Sequence, residues 1–164
     1  MERKGKQTNR YVQRDRRLIP TFAVHKPPRL KQFAVPRSIA QFSLLVREYD
    51  EAIDFYVRVL GFELLEDTPI SEEKRWVRVA PPEGGGAALL LARASTDAQR
   101  GLVGKQAAER VWLFLETDDF AGDYRRLKEY GVSIIRERSE EIYGTVCVFA
   151  DLYGNRWDLI QRKA

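Results

Sequence analysis

The sequence is poor in the residues that build metal centres and disulfides. Cys147 is the only cysteine and His25 the only histidine among 164 residues. A single thiol excludes an intrachain disulfide and a cysteine metal cluster, and it is consistent with a reducing compartment. No apolar run approaches the roughly 20 residues of a membrane helix, and no apolar stretch follows the basic N-terminus as in a secretory signal. We therefore expect a cytoplasmic protein that does not span a membrane.

The positive charge is concentrated in the first 38 residues. Residues 1–38 carry 11 lysines and arginines but two acidic residues, whereas residues 39–164 carry 17 basic and 22 acidic residues. The segment 1–38 also holds four prolines and lacks a hydrophobic period, which predicts a disordered basic extension ahead of a folded domain over 39–164. The extension is either an arm for an acidic partner or another subunit, or a solvated tail without a role. The acidic body argues against a nucleic-acid-binding domain.

The domain reads as an internal repeat of two modules, 39–94 and 108–164. In each half a strand precedes a helix that ends at a glycine, Gly61 or Gly131, and three further strands follow. The predicted strands are 39–46, 62–66, 74–80 and 87–91, then 110–116, 132–136, 145–150 and 156–161. A single βαβββ unit leaves one sheet face unburied and must pack it against a second unit. The pattern predicts an α+β fold of two βαβββ modules with a hollow between them.

Two motifs resemble signatures of the vicinal oxygen chelate superfamily, which includes glyoxalases, bleomycin resistance proteins and extradiol dioxygenases. The first is the helix segment Tyr49–Tyr56 followed by Leu60-Gly61-Phe62, and the second is the closing strand region Phe149–Leu159. The resemblance covers about residues 39–162. It implies a cupped mixed sheet around a ligand cavity, and a homodimer.

Many members of that superfamily hold a divalent metal with one side chain from each of four strands, and the metal acts as a Lewis acid. Transferred to this sequence, the first and last positions fall on Gln41 and Asp158. The position of the expected histidine falls on Trp112, and the fourth strand, Ala87–Leu91, has no glutamate. The resemblance therefore implies at most a weakly bound divalent metal, held by Gln41 and Asp158.

The remaining candidates follow from strand alternation. Trp112, Phe114 and Glu116 share one face of a strand if the period of two holds. Glu116 and Asp158 are the candidate catalytic carboxylates, and the candidate ligand-binding residues are Gln41, Trp112, Phe114 and Tyr143.

Each candidate also has a purely structural interpretation. Gln41 is then a buried amide, and Glu116 is a solvated carboxylate at a strand end. Asp158 is then paired with an arginine, for which Arg75, Arg78 and Arg156 are available, and the aromatic residues are plain core.

Three functional hypotheses stay open on the sequence. The first is an enzyme that binds a small organic molecule between the modules and acts as a metal-assisted lyase or dioxygenase with a degenerate metal site. The second is a non-catalytic protein that sequesters a drug or metabolite in an aromatic cup. The third is an interaction protein in which the basic extension matters and the cup is vestigial.

Overall fold

The computed structural model describes residues 38–82 and 86–163. The predicted basic extension, apart from Ser38, lies outside the described residues, as does the centre of the predicted glycine turn at 83–85. Over the part of the chain that is described, no helix combines the length and the apolar character needed to cross a membrane.

The N-terminal module contains strands β1 (Gln41–Val46), β2 (Glu63–Pro69), β3 (Arg75–Ala80) and β4 (Ala88–Arg93). Helix α1 (Tyr49–Asp54) follows β1 and continues as a π-helical turn over Phe55–Val59. The sequence predicts a helix capped by Asp50, but Glu48 occupies the N-cap and makes no side-chain cap hydrogen bond. The helix ends at Gly61, whose φ of +73° is one that L side chains rarely adopt.

A short helix, α2 (Asp97–Leu102), connects the modules and begins with a capping box between Thr96 and Gln99. The C-terminal module contains β5 (Val111–Glu116), α3 (Phe120–Glu129), β6 (Ile134–Glu141), β7 (Gly144–Ala150) and β8 (Arg156–Arg162). Helix α3 is capped by Asp119, whose carboxylate accepts a hydrogen bond from the Gly122 N–H at 3.0 Å.

The two modules have the same topology. The N-terminal sheet has the order β1-β4-β3-β2 and the C-terminal sheet has the order β5-β8-β7-β6. The first and fourth strands of each module in sequence order, β1 with β4 and β5 with β8, pair in parallel, and the other pairs are antiparallel. This arrangement confirms the predicted α+β fold of two βαβββ modules.

An apolar core lies between the modules. One face of the N-terminal sheet and one face of the C-terminal sheet contribute to a single cluster with the helices. Its buried strand residues are Leu44, Val46, Val77, Val79, Leu89 and Leu91 from the first sheet, and Cys147, Phe149, Trp157 and Leu159 from the second. The rings of Tyr56 and Phe62 lie 6.0 and 6.2 Å from the Trp157 ring. The repeated apolar faces pack against each other, so these two faces do not enclose the predicted hollow.

The turn between β7 and β8 fastens the C-terminal module to the rest of the domain. The Tyr153 hydroxyl donates to the Glu51 carboxylate of α1 at 2.7 Å, and the Asn155 side-chain oxygen accepts from the Gln106 N–H at 3.2 Å. Both contacts join elements that are far apart in the sequence. They therefore help to fix the orientation of the two modules relative to each other, and with it the sheet faces that stay accessible.

Candidate functional site

A second set of side chains in each sheet alternates with the core residues and is directed away from the core. We call these two surfaces the outer faces. On the N-terminal sheet the outer face comprises Gln41, Ser43, Leu45, Glu66, Trp76, Arg78, Leu90 and Ala92. On the C-terminal sheet it comprises Phe114, Glu116, Arg136, Val146, Val148, Asp158 and Ile160.

A cavity of about 420 Å³ opens at one end of the N-terminal outer face. Its apolar lining includes Leu45, Trp76, Leu90 and Ala92, which belong to three adjacent strands. We call it the Trp76 cavity. Its volume lies within the range of small-molecule sites, and an indole among aliphatic side chains suits a flat apolar ligand.

Arg78 lies beside this cavity, because it pairs in register with Leu90 on β4 and with Glu66 on β2. One terminal nitrogen of the guanidinium lies 3.6 Å from the Glu66 carboxylate, which is too long for a hydrogen bond. The buried Nε has no acceptor among the described residues. Arg78 therefore keeps hydrogen-bonding capacity on a mostly apolar face.

Asp158 occupies the centre of the C-terminal outer face. It is 7% exposed and lies in register between Phe114 and Val148. Its Oδ1 lies 4.0 Å from the Arg136 guanidinium and accepts no hydrogen bond from any described residue. The partner is thus Arg136, not Arg75, Arg78 or Arg156 as the structural interpretation of the sequence suggested.

The charge state of Asp158 follows from this environment. Burial raises the pKa of the Asp158 carboxyl above its ordinary value, and the positive charge of Arg136 partly opposes that shift. The group therefore gains a proton more readily than an exposed aspartate does.

The prediction that Trp112, Phe114 and Glu116 share one face is wrong. The pairing of β5 with β8 shifts register between Val111 and Leu113, which makes Trp112 the extra residue of a bulge. Its ring lies edge-on to the core residue Trp157, with 6.4 Å between centroids. Phe114 lies on the outer face and is 63% exposed.

The other predicted site residues are dispersed. Gln41 and Asp158 lie on different sheets, each on a face directed away from the shared core. Tyr143 is half-exposed in the β6–β7 turn, and its carbonyl accepts the Lys163 N–H. One chain by itself therefore does not bring the two predicted metal ligands to a common cavity.

Glu116 lines a different space, a cleft of about 740 Å³ between the two modules. Its carboxylate is exposed and bound by Arg162 at 2.6 Å. The cleft also contains Asp123 and Arg126, which form an ion pair with each other. Because these charges are satisfied within the chain, the cleft offers less for ligand recognition than the outer faces do.

A model of the Glyoxalase/Bleomycin resistance protein/Dioxygenase superfamily matches residues 38–159. The chain belongs to this superfamily. The match confirms the resemblance predicted from the two sequence motifs.

Relatives of known sequence or structure cover most of the domain. A protein of Shewanella frigidimarina is 55% identical over 126 residues, which is 76% of this chain and 93% of the relative. The crystal structure of TnmS3, an antibiotic binding protein from Streptomyces sp. CB03234, is 32% identical and covers 79% of this chain and 98% of that chain, with a TM-score of 0.65. A glyoxalase/bleomycin resistance protein from Streptomyces sp. CB03234 is 35% identical, with coverages of 76% and 100% and a TM-score of 0.60.

The donor set of this superfamily member does not fit a tightly bound metal. No three carboxylate, imidazole or thiol side chains come together in residues 38–82 and 86–163 in a way that could hold one. Asp158, at the predicted ligand position, faces the positive charge of Arg136. A neighbouring guanidinium competes with a metal ion for the same carboxylate.

Sequence reasoning missed three residues of the outer faces as site candidates. Trp76 lies on the predicted strand 74–80, where it alternates with Val77 and Val79, so its face could have been found from the period alone. Arg78 shares that face, two residues further on. Arg136 gave no local signal, because its position depends on a register shift between β6 and β7.

Proposed function

We propose that this protein is a cytoplasmic binding protein that sequesters a small planar organic molecule on its outer faces without transforming it. The observation that carries the proposal is the Trp76 cavity, a space of ligand size whose lining combines an indole and aliphatic side chains with polar and charged ones. TnmS3, which has the same fold and is 32% identical, is described as an antibiotic binding protein, and this similarity supports the same class of function here.

A second copy of the chain would complete the site. Strand β5 is an edge strand, and it carries Phe114 on the outer face at 63% exposure. Exposed aromatic residues on sheet edges are typical of surfaces that pair with another chain. We therefore propose a homodimer in which the N-terminal outer face of one copy and the C-terminal outer face of the other enclose the ligand.

One observation favours a second candidate function, a metal-assisted lyase or dioxygenase. The Asp158 Oδ1 is buried and accepts no hydrogen bond from the described residues, and an acceptor of this kind fits a cation as well as a hydrogen-bond donor. In the proposed dimer, Gln41 and Asp158 come from different copies. A hard divalent ion would be held there by two oxygen ligands and water.

The test uses the purified full-length protein and a neutral planar probe, 2-naphthamide. We expect 2-naphthamide to raise the melting temperature of the wild type and to lose most of that effect in Trp76→Ala. Tyr130→Ala, which removes a half-exposed aromatic residue at the end of α3, serves as the matched control. Absence of stabilisation in the wild type contradicts the proposal. Stoichiometric divalent metal in the purified protein supports the second candidate.

A further inference from the structure

Two arginines on β3, Arg75 and Arg78, have different environments although only two residues separate them. Arg75 donates to both carboxylate oxygens of Asp67 and, at 2.6 Å, to Asp50. Arg78 makes only the 3.6 Å ion pair with Glu66, and its buried Nε has no acceptor among the described residues. Contacts within the fold therefore satisfy the hydrogen-bonding groups of Arg75, whereas those of Arg78 are not satisfied by the described residues.

A buried donor without an acceptor is costly, because water hydrates it in the unfolded chain. Arg78 lies on the same face as Trp76, one alternation along the strand, and directly opposite Leu90 of the cavity lining. A guanidinium beside an indole-lined cavity is well placed to bind an anionic group on a flat ligand.

The cavity is lined by more basic than acidic side chains. Lys74, Arg75 and Arg93 line it together with one acidic residue, Glu73. Arg75 and Arg93 are each paired with carboxylates of the chain, so they contribute less to the attraction of an anion than Lys74 and Arg78 do.

We propose that Arg78 binds the carboxylate of an aromatic acid whose ring lies against Trp76. This inference rests on the proposed function and names the chemical class of its ligand. Glu66 then competes with the ligand for Arg78, because both present a carboxylate to the same guanidinium.

The experiment measures dissociation constants by calorimetry for a matched pair of probes, 2-naphthoate and 2-naphthamide. The wild type should bind the carboxylate at least about tenfold more tightly, because charge-assisted hydrogen bonds are stronger than neutral ones. Arg78→Gln should reduce that ratio to about one, because it weakens the binding of the carboxylate far more than that of the amide. Glu66→Gln should increase the ratio, since it removes the competing carboxylate.

The outcomes separate this inference from the function on which it rests. If the wild type binds both probes equally, or if Arg78→Gln keeps the preference, Arg78 does not bind an anion although the cavity binds planar molecules. If neither probe binds, both proposals fail. Arg58→Gln, an exposed arginine of the same module, should leave the ratio unchanged. A matching loss of preference there would show that net charge, not Arg78, is responsible.

Discussion

The Tyr56 hydroxyl donates a buried hydrogen bond of 2.8 Å to the Asp151 carboxylate, and this bond joins the helix of one module to the β7–β8 turn of the other. Asp151 also accepts the backbone N–H groups of Tyr153, Gly154 and Asn155 and the side-chain amide of Asn155. The motif that signals the superfamily at the end of the sequence is therefore a structural joint that fixes the modules.

Tyr56→Phe tests this joint. The substitution keeps the buried ring and removes one hydrogen bond to a charged acceptor, so the free energy of unfolding should fall by about 2 kcal/mol. Asp151→Asn should cost more, because an amide nitrogen would face donors at one of the two oxygen positions. Urea denaturation measures both effects. Tyr130→Phe, at a half-exposed tyrosine, is the control, and a Tyr56→Phe variant as stable as this control would contradict the assignment.

Sequence reasoning predicted the fold well because the fold is repeated in local patterns. The two helices that end at Gly61 and Gly131 indicate the two modules. The alternation in 74–80 predicts which side chains of β3 face the core and which face away from it. The location of the site could not be predicted in the same way. Whether Trp112 faces the core depends on a one-residue bulge, and the partner of Asp158 depends on a register shift in another strand. Both are decided by tertiary packing, for which the sequence has no local signal.

Two glycines with similar backbone angles should respond differently to alanine. Gly131 has a φ of +67° and open space where a Cβ would lie, whereas a Cβ on Gly104, at +76°, would overlap the Tyr153 carbonyl. Gly131→Ala should destabilise by about 1–2 kcal/mol, the usual cost of this backbone conformation. Gly104→Ala should cost clearly more, because the β7–β8 turn must also move. Equal losses in thermal unfolding would show that the turn does not pack against residue 104 as described.

Asp158→Asn should change the pH dependence of stability. Because the folded pKa of Asp158 is raised, the ionised carboxylate destabilises the fold above that pKa, and this penalty disappears as the pH falls below the ordinary aspartate value. The variant should therefore match the wild type in acid and exceed it at neutral pH. Urea midpoints measured between about pH 3 and about pH 8 give the comparison. A variant less stable at neutral pH would mean that attraction to Arg136 outweighs burial.

Cys147 should be inert in the folded protein. It is fully buried in the core, and burial raises the pKa of its thiol to about 12. The thiolate is the reactive form, so labelling by a disulfide reagent at pH 8 should proceed only as fast as the chain unfolds. The sequence holds no other cysteine, and the signal therefore reports one site. Rapid labelling without denaturant would indicate that β7 opens locally.

The proposed homodimer predicts a specific effect at Phe114. If a second copy covers this exposed ring, Phe114→Gln removes two buried aromatic contacts per dimer, one from each chain. Burial of one such side chain contributes about 2 kcal/mol, so the dimer dissociation constant should rise by at least about a hundredfold. Sedimentation equilibrium of the full-length chain measures it, and circular dichroism checks that the domain remains folded. Tyr130→Gln changes an aromatic residue of similar exposure, 51% against 63%, on α3 and should leave the constant unchanged. A monomeric wild type, or equal effects of both substitutions, would refute a dimer formed through the outer faces.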